Sequence, residues 1–280
     1  MLTQRSDFKR NPFRALLRRV IWHSRWLLSP QKPYLIRAHG SFRLLTMRSG
    51  SGALIYYQGE SEPETANFIK KVLRPGMVFL DVGAHLGEYT VLAAKLVGPS
   101  GSVHAFEPNP RIFSILLENI KLNCLQNVCV SPCAVWHEQG VAEFEVTSEP
   151  ATSALRTTAA DRQESSIVKV HTLTLDQYFA SSHKVKPDLI KIDVEGAELD
   201  VLGGAKTLLD QPREKAPILI FEYGPLNLAR FGQTPDELLT FLRNLGYSLF
   251  TLGNTAVQRV ENHPSLKGSA ETCNLMAVKG

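Results

Sequence analysis

No run of 18 apolar residues occurs anywhere in the 280-residue chain, which excludes a single hydrophobic helix crossing a bilayer. Cysteine is scarce: there are four, and no two make a C-x-x-C pair. Cys124, Cys129 and Cys133 follow a C-x4-C-x3-C spacing with no histidine pair nearby, so a zinc site is not supported. Cys129 and Cys133 sit in or beside the apolar Val128-Cys129-Val130 stretch, where thiols behave as small buried hydrophobes. Arg18, Arg19 and Arg25 interrupt every apolar stretch near the start, so no secretory signal is expected. Reduced thiols without an export signal fit a cytoplasmic protein. The G-x-G-x-x-G fingerprint of dinucleotide binding is also missing, which counts against a nicotinamide oxidoreductase.

Acids are nearly absent from residues 1–50, which hold eleven Lys/Arg and only Asp7. The remainder carries 20 basic and 26 acidic side chains, so a basic arm precedes a mildly acidic body. Hydrophobic residues at 44% and charged residues at 21% suit a globular fold and exclude extensive disorder. Within residues 13–28, Phe13, Leu16, Leu17, Val20, Ile21, Leu27 and Leu28 share one helical stripe. Arg14, Arg18 and Arg25 lie opposite, with Trp22 and Trp26 on the flanks. Such a helix can rest on an anionic membrane, on its own protein or on a partner. No nucleic-acid module accompanies the arginines, and nucleic-acid binding is not expected.

From residue 33 the pattern alternates. Tyr34–Ala38, Arg43–Met47 and Ala53–Tyr57 read as short strands, and Glu64–Leu73 as a helix. Buried strands are expected at Met77–Val82, Val103–Phe106, Val128–Val135, Leu189–Ile192, Ile218–Glu222, Tyr247–Leu252 and Leu275–Val278, with a ribbon at Ala142–Val146. Helices are expected at Glu88–Val97, Pro110–Asn123, Leu175–Ala180, Ala197–Asp210 and Pro235–Leu245, and a mobile polar loop at 148–166. Strands alternating with helices predict a parallel sheet that binds ligands beyond its carboxyl edge.

Three motifs sit just after predicted strands. Asp81-Val82-Gly83-Ala84-His85-Leu86-Gly87 places glycines where backbone can approach a ligand. Its acid would crowd a pyrophosphate and suits an ammonium or sulfonium. Glu107, in Phe106-Glu107-Pro108-Asn109-Pro110, is placed to accept both hydroxyls of a ribose, and alternatively to cap the helix that Pro110 begins. Lys191-Ile192-Asp193-Val194-Glu195-Gly196-Ala197-Glu198 sets carboxylates at the edge where two substrates would meet, or alternatively at a helix N-terminus.

With FLDVGAHLGEYT (79–90), GSVHAFEPNP (101–110), NIKLN (119–123), TLTLDQYF (172–179) and PDLIKIDVEGAELDVLGGA (187–205), the chain resembles the FkbM-type methyltransferases over about residues 60–223. The family commonly has Asn where this chain has His85. The resemblance implies a Rossmann-like class I methyltransferase fold, α/β, with a seven-stranded, mainly parallel sheet whose last strand is antiparallel. It implies S-adenosylmethionine as co-substrate, with Asp81, Gly83 and Gly87 along its methionine part and Glu107 on the ribose. Pro108 and Asn109 would shape that pocket, and Cys133, Ala134 and Val135 would border the adenine. Asp193 and Glu195 would face the methyl and the acceptor, which the family suggests is a hydroxyl of a sugar or natural product.

The expected organisation is a basic extension (1–32), strands and a helix packed on the core (33–75), and a methyltransferase domain (76–280). Asp193, Glu195 and Glu222 are the candidate proton acceptors, in that order, with His85 a donor-site hydrogen bonder before a base. The three acids suit magnesium, but their spacing does not require it and no metal is assigned. Tyr56, Tyr57 and Glu64 are candidates for a lid over the donor. The alternative reading is an inactive module of the same fold that binds a membrane or protein partner through its basic N-terminus; otherwise that contact is peripheral, at the inner membrane face.

Overall fold

Asn11 accepts a hydrogen bond from the Arg14 N–H and Pro12 fills the first turn, so a helix starts there. This computed structural model describes residues 8, 11–29, 32–147, 153–156, 165–180, 186–253, 258–260 and 271–280. Helix α1 spans Pro12–Leu28, and β1 (Tyr34–Ala38) and β2 (Phe42–Thr46) form an antiparallel hairpin with Tyr34 opposite Thr46. Residues 53–57, expected as a strand, belong instead to helix α2 (Gly50–Gln58). Ser49 caps its start by accepting from the Gly52 N–H, and Gly59 closes it at φ 97°. A capping serine and a terminal left-handed glycine outweigh the strand preference of Leu-Ile-Tyr-Tyr.

The body follows as α3 (Pro63–Val72), β3 (Val78–Val82), α4 (Glu88–Val97), β4 (Ser102–Phe106), α5 (Pro110–Leu122), β5 (Val128–Ser131), β6 (Cys133–Val135) and β7 (Gly140–Thr147). Next come β8 (Ala154–Leu155), β9 (Ser165–Leu173), α6 (Leu175–Ala180), β10 (Leu189–Ile192), α7 (Glu198–Gly203), α8 (Lys206–Leu209) and β11 (Ile218–Tyr223). The chain ends with α9 (Pro225–Arg230), α10 (Pro235–Asn244), β12 (Tyr247–Thr251), β13 (Gln258–Arg259) and β14 (Cys273–Lys279).

The main sheet has the order β13-β12-β14-β11-β10-β3-β4-β5. Of its seven longer strands only β14, the last in sequence, opposes its neighbours. Two-residue β13 extends the edge beyond the expected seven. From β3 the chain moves outward to β4 and β5, then returns to place β10 on the other side. The carboxyl ends of β3 and β10 are therefore the switch point.

Three expectations about elements change. Val128–Val135 is not one strand, because Pro132 offers no N–H and breaks the ladder. β5 stays in the main sheet while β6 joins a second sheet of order β6-β9-β7-β8. Its strands β8 and β9 run into the expected loop at 148–166, of which residues 148–152 and 157–164 lie outside the described residues. The helix expected at 197–210 is two, α7 and α8, parted at Gly203-Gly204. A Cβ on Gly204 would lie 2.2 Å from the Trp136 carbonyl oxygen, so backbone packing sets that glycine. The thiols also depart from expectation: β5 is an edge strand, and Cys129 on it is exposed, while Cys133 is half-buried.

Alternation along β3, β4, β10 and β11 divides the core. Leu80, Val82, Phe106, Ile190, Ile192, Leu219 and Phe221 pack under α6, α7, α8 and α10. Phe79, Val103, Leu189 and Ile220 pack under α3 and α4. The N-terminal elements have their own cluster, in which Trp22 and Trp26 of α1 meet Ile36, Ala38, Leu44, Ile55, Tyr57 and Val91. Asn119 of α5 joins the parts: its amide donates to the Leu45 and Leu86 carbonyls, and its oxygen accepts from the Leu45 N–H. It is fully buried, so each of those groups depends on it. Asn119→Leu is expected to lower stability by about 2–4 kcal/mol in urea unfolding, because three buried or partly buried backbone groups lose their partner. A loss below about 0.5 kcal/mol would show that the backbone finds other partners.

Candidate functional site

Gly83, at φ 82°, ends β3, and a Cβ there would stand 1.8 Å from the Asp193 carbonyl oxygen. Gly87, at φ 83°, would meet Leu116 at 2.4 Å. Each glycine is thus explained first by close packing inside the protein, and for Gly83 the neighbour is the end of β10 itself. That contact brings the glycine loop and the acidic motif onto one cavity of about 260 Å³.

Gly83, His85, Glu107, Pro108, Ala134, Val135, Asp193, Glu195 and Glu222 all lie on the cavity wall. Asp81, Gly87, Asn109 and Glu64 do not. Asp81 is buried at the end of β3 and accepts from Thr90. Gly87 caps α4, and Asn109 caps α5 through its side-chain oxygen. Glu64 lies in the first turn of α3, where Glu62, just before the helix, supplies the wall. Tyr56 and Tyr57 face the aromatic cluster around Trp22, while Ser51, Leu54 and Ile55 of the same helix reach the cavity.

The sheet order separates two kinds of wall. On the β4 side the lining is mainly apolar, with Phe106, Pro108, Cys133, Ala134, Val135, Phe144 and Leu155, together with Glu107 and Ser153. Glu107 is held rigidly, with one oxygen accepting from the His85 N–H at 2.8 Å and the other from the Asn109 N–H at 2.8 Å. Burial pushes its pKa up to about 7, against those two hydrogen bonds. The His85 Nε2 atom is buried without a hydrogen-bond partner among the described residues. Burial pushes the imidazole down to about 4, so it is neutral at pH 7 and a weak base.

On the β10 side, ligand atoms of Asp193, Glu195 and Glu222 lie within 4.8 Å of one another. Oxygen ligands at that spacing could hold a divalent cation. The Asn227 amide donates to Glu195 at 2.9 Å and to Glu222 at 3.3 Å. Burial, followed by the charge of Asp193, pushes Glu195 up to about 8 and Glu222 up to about 9. Glu198 is fully buried behind them, accepts from the Val194 and Gly196 N–H groups, and is pushed up to about 7 by burial.

Lys191 is the residue that sequence reasoning passed over. Its side chain is 3% exposed, with the ammonium 2.7 Å from Asp193 and 5.0 Å from the centre of the Tyr89 ring. It pairs in register with Asp81 on β3. The charges of Asp193, Asp81 and Glu62 raise its pKa against the cost of burial. The available signal was a lone lysine inside the otherwise apolar Leu189–Ile192 strand. Glu62 was also missed; it accepts from the Tyr89 hydroxyl and the Asn274 amide.

The family model described as the methyltransferase FkbM domain matches residues 81–249. The chain is 29% identical over 132 residues to the hexuronic acid methyltransferase AglP of Haloferax volcanii, across 47% of this chain and 51% of that protein. It is 32% identical over 173 residues to the 31-O-demethyl-FK506 methyltransferase FkbM of Streptomyces tacrolimicus, across 50% of this chain and 64% of that one. The chain thus spans about half to two thirds of the length of these relatives. Among solved structures, it is similar to an FkbM methyltransferase from Methylobacillus flagellatus, at 15% identity and a TM-score of 0.45, covering 81% of this chain and 52% of that one.

Clustered buried carboxylates give the fold a defined response to pH. Glu107, Glu198, Glu195 and Glu222 are raised from an ordinary 4.5 to between about 7 and 9, so from pH 6.5 to 9 the folded state holds more protons than the unfolded state. Stability therefore falls as pH rises across that window. Below it His85, lowered from 6.5 to about 4, acts in the opposite sense, because there the unfolded state binds the extra proton. The melting temperature is expected to drop from pH 6.5 to 9, and Glu222→Gln to flatten the drop. A melting temperature that climbs over the same range would contradict the assignment.

Proposed function

The chain belongs to the FkbM methyltransferase family, whose methyl donor is S-adenosylmethionine, and we propose that it methylates a hydroxyl oxygen of a sugar or natural-product acceptor. One relative is named for a hexuronic acid and another for an O-demethyl compound, and both names support an oxygen acceptor on a small molecule. Residues 76–280 form the catalytic domain in this reading, residues 33–75 pack on it, and residues 1–32 are the basic extension. Four unpaired thiols favour a cytoplasmic setting.

The cavity residues fit the donor. Glu107, fixed by two backbone N–H groups, keeps lone pairs for the ribose hydroxyls. The orphaned His85 Nε2 offers one more polar contact. Phe106, Ala134, Val135, Phe144 and Leu155 give the adenine an apolar seat, with Pro108 and Cys133 beside it. Asp193 and Glu62 supply negative charge for the sulfonium end, and Asp81 supports it from behind through Lys191. Asn109 and Gly87 act at one remove, fixing Glu107 and the loop. Glu64 is off the wall, and we assign the contact expected of it to Glu62.

Bound S-adenosylmethionine supplies a methyl group already activated on a sulfonium. The residues then need to orient an acceptor hydroxyl and take its proton. Three carboxylates this close do not all ionise. The ion pair with Lys191 settles charge on Asp193, and protons settle on Glu195 and Glu222, which orient the acceptor with Asn227. Asp193 is therefore the proton acceptor. The observation carrying this reading is the trio of carboxylates on the same cavity wall as the anchored Glu107.

Calorimetric titration with S-adenosylmethionine and single-turnover assays against hydroxylated sugars test it. Glu107→Ala is expected to weaken donor binding at least about tenfold, since a charge-assisted hydrogen bond contributes about 1.5–3 kcal/mol. Wild-type donor binding should strengthen as pH rises through about 7, where Glu107 ionises and can accept from both hydroxyls. Asp193→Asn is expected to lower turnover about 100-fold or more, well beyond the modest loss of donor affinity that removing its charge brings. Turnover that survives in Asp193→Asn would make Asp193 structural, and a wild type that binds donor but turns over no acceptor would favour the inactive-module reading.

A further inference from the structure

Helix α1 uses two faces for different ends. Ala15, Arg19, Trp22 and Trp26 are buried against the body. Trp22 stacks on Tyr56 at 5.3 Å and 26°, and meets Trp26, Tyr34 and Tyr57 edge-on or tilted. The Arg19 guanidinium lies 4.4 Å from the Tyr57 ring centre, and Arg18 lies 4.8 Å from that of Tyr56. This clamp fixes the rotation of the helix. The stripe that sequence periodicity marks as apolar consequently faces away from the body: Phe13, Leu16, Leu17, Val20, Ile21, Leu27 and Leu28 are 42–83% exposed. Seven large apolar side chains in one contiguous band exceed the scattered exposure of an ordinary surface.

We propose that this band docks on an anionic lipid surface, holding the enzyme at a membrane while α1 stays folded on the body. Charge selects this occupant. Arg14, Arg18 and Arg25 follow one another along the boundary between the exposed stripe and the buried face, where headgroups would meet a helix lying in the interface. α1 contains no acid, and Lys32, Arg37, Arg43 and Arg48 stand exposed on the adjoining segment. A second copy docking through the same band would set Arg14, Arg18 and Arg25 against those of the first, with no acid on α1 to offset them. An anionic bilayer offers apolar depth and opposite charge together. The cavity lies one helix away: α2 carries Tyr56 and Tyr57 against α1, and Ser51, Leu54 and Ile55 on the cavity wall.

The test is flotation of the full chain with vesicles of phosphatidylcholine alone and of phosphatidylcholine mixed with phosphatidylglycerol, at low and high sodium chloride, alongside light scattering of the protein by itself. The full chain is expected to float with the mixed vesicles at low salt, several-fold less at high salt, and little with neutral vesicles. Leu17→Ser/Leu28→Ser is expected to weaken binding at least about tenfold, and Arg14→Glu several-fold, with unchanged circular dichroism and melting temperature. These side chains are exposed, so loss of the fold is not anticipated; if the double variant did unfold, Arg14→Glu would decide alone. Failure to bind mixed vesicles, equal binding to neutral ones, or a dimer in scattering that the double variant dissolves would overturn the proposal. Neither outcome depends on turnover, so it stands or falls apart from the catalytic reading.

Discussion

One buried ammonium holds the site together. Lys191 lies inside the sheet among Asp193, Asp81 and Glu62, and beyond them stand Glu195, Glu198 and Glu222. Without a cation the acids nearest it would face repulsion in a poorly solvated space. With it, one carboxylate is held charged and those further off retain protons near neutral pH, as burial and mutual repulsion require. The strand supplies the rigidity: Lys191 alternates with Ile190 and Ile192, so its side chain leaves the sheet on the same face as Asp81, its register partner.

The second constraint is steric. Since the Cβ position of Gly83 is filled by the Asp193 carbonyl, the ends of β3 and β10 touch, and the glycine loop and the acids cannot drift apart. The glycine thereby has a purpose apart from any ligand. It also explains why the separation between the anchored Glu107 and the carboxylate trio is set by strand spacing and not by loop conformation. β4, β3, β10 and β11 are consecutive in the sheet, and each contributes its carboxyl end to one cavity.

Much of this was legible from residue order. The main-sheet strands follow from short apolar runs after turn signals, and the arrangement with β14 opposed follows from family resemblance. Motif residues at strand ends meet because parallel strands share an edge. What was not legible depends on contacts distant in sequence. Pro132 as the boundary between two sheets needed the partner strand β9, most of which the sequence reading left without an element. The role of Lys191 needed the register between β10 and β3, since a lone lysine in a strand is locally an anomaly. Asp81 and Asn109 were expected on the cavity but stand behind it, because spacing along the chain gives a residue's strand end and not the direction in which its neighbours are already packed.

The N-terminal helix shows the same limit in the opposite sense. Periodicity located the apolar stripe correctly, and the usual inference turns such a stripe inward. Here tryptophans on the narrower face stack on Tyr56 and meet Tyr34 and Tyr57 tilted or edge-on, ring contacts that aliphatic side chains cannot make. Once that face is chosen, the wider stripe has nowhere to go but outward. Apolar periodicity therefore reports that a helix has a sided surface, while the identity of the anchoring side chains decides which side the protein keeps. The same aromatic cluster fixes α2, whose opposite face lines the cavity, so the orientation of α1 and the shape of that cavity wall are set by one set of contacts.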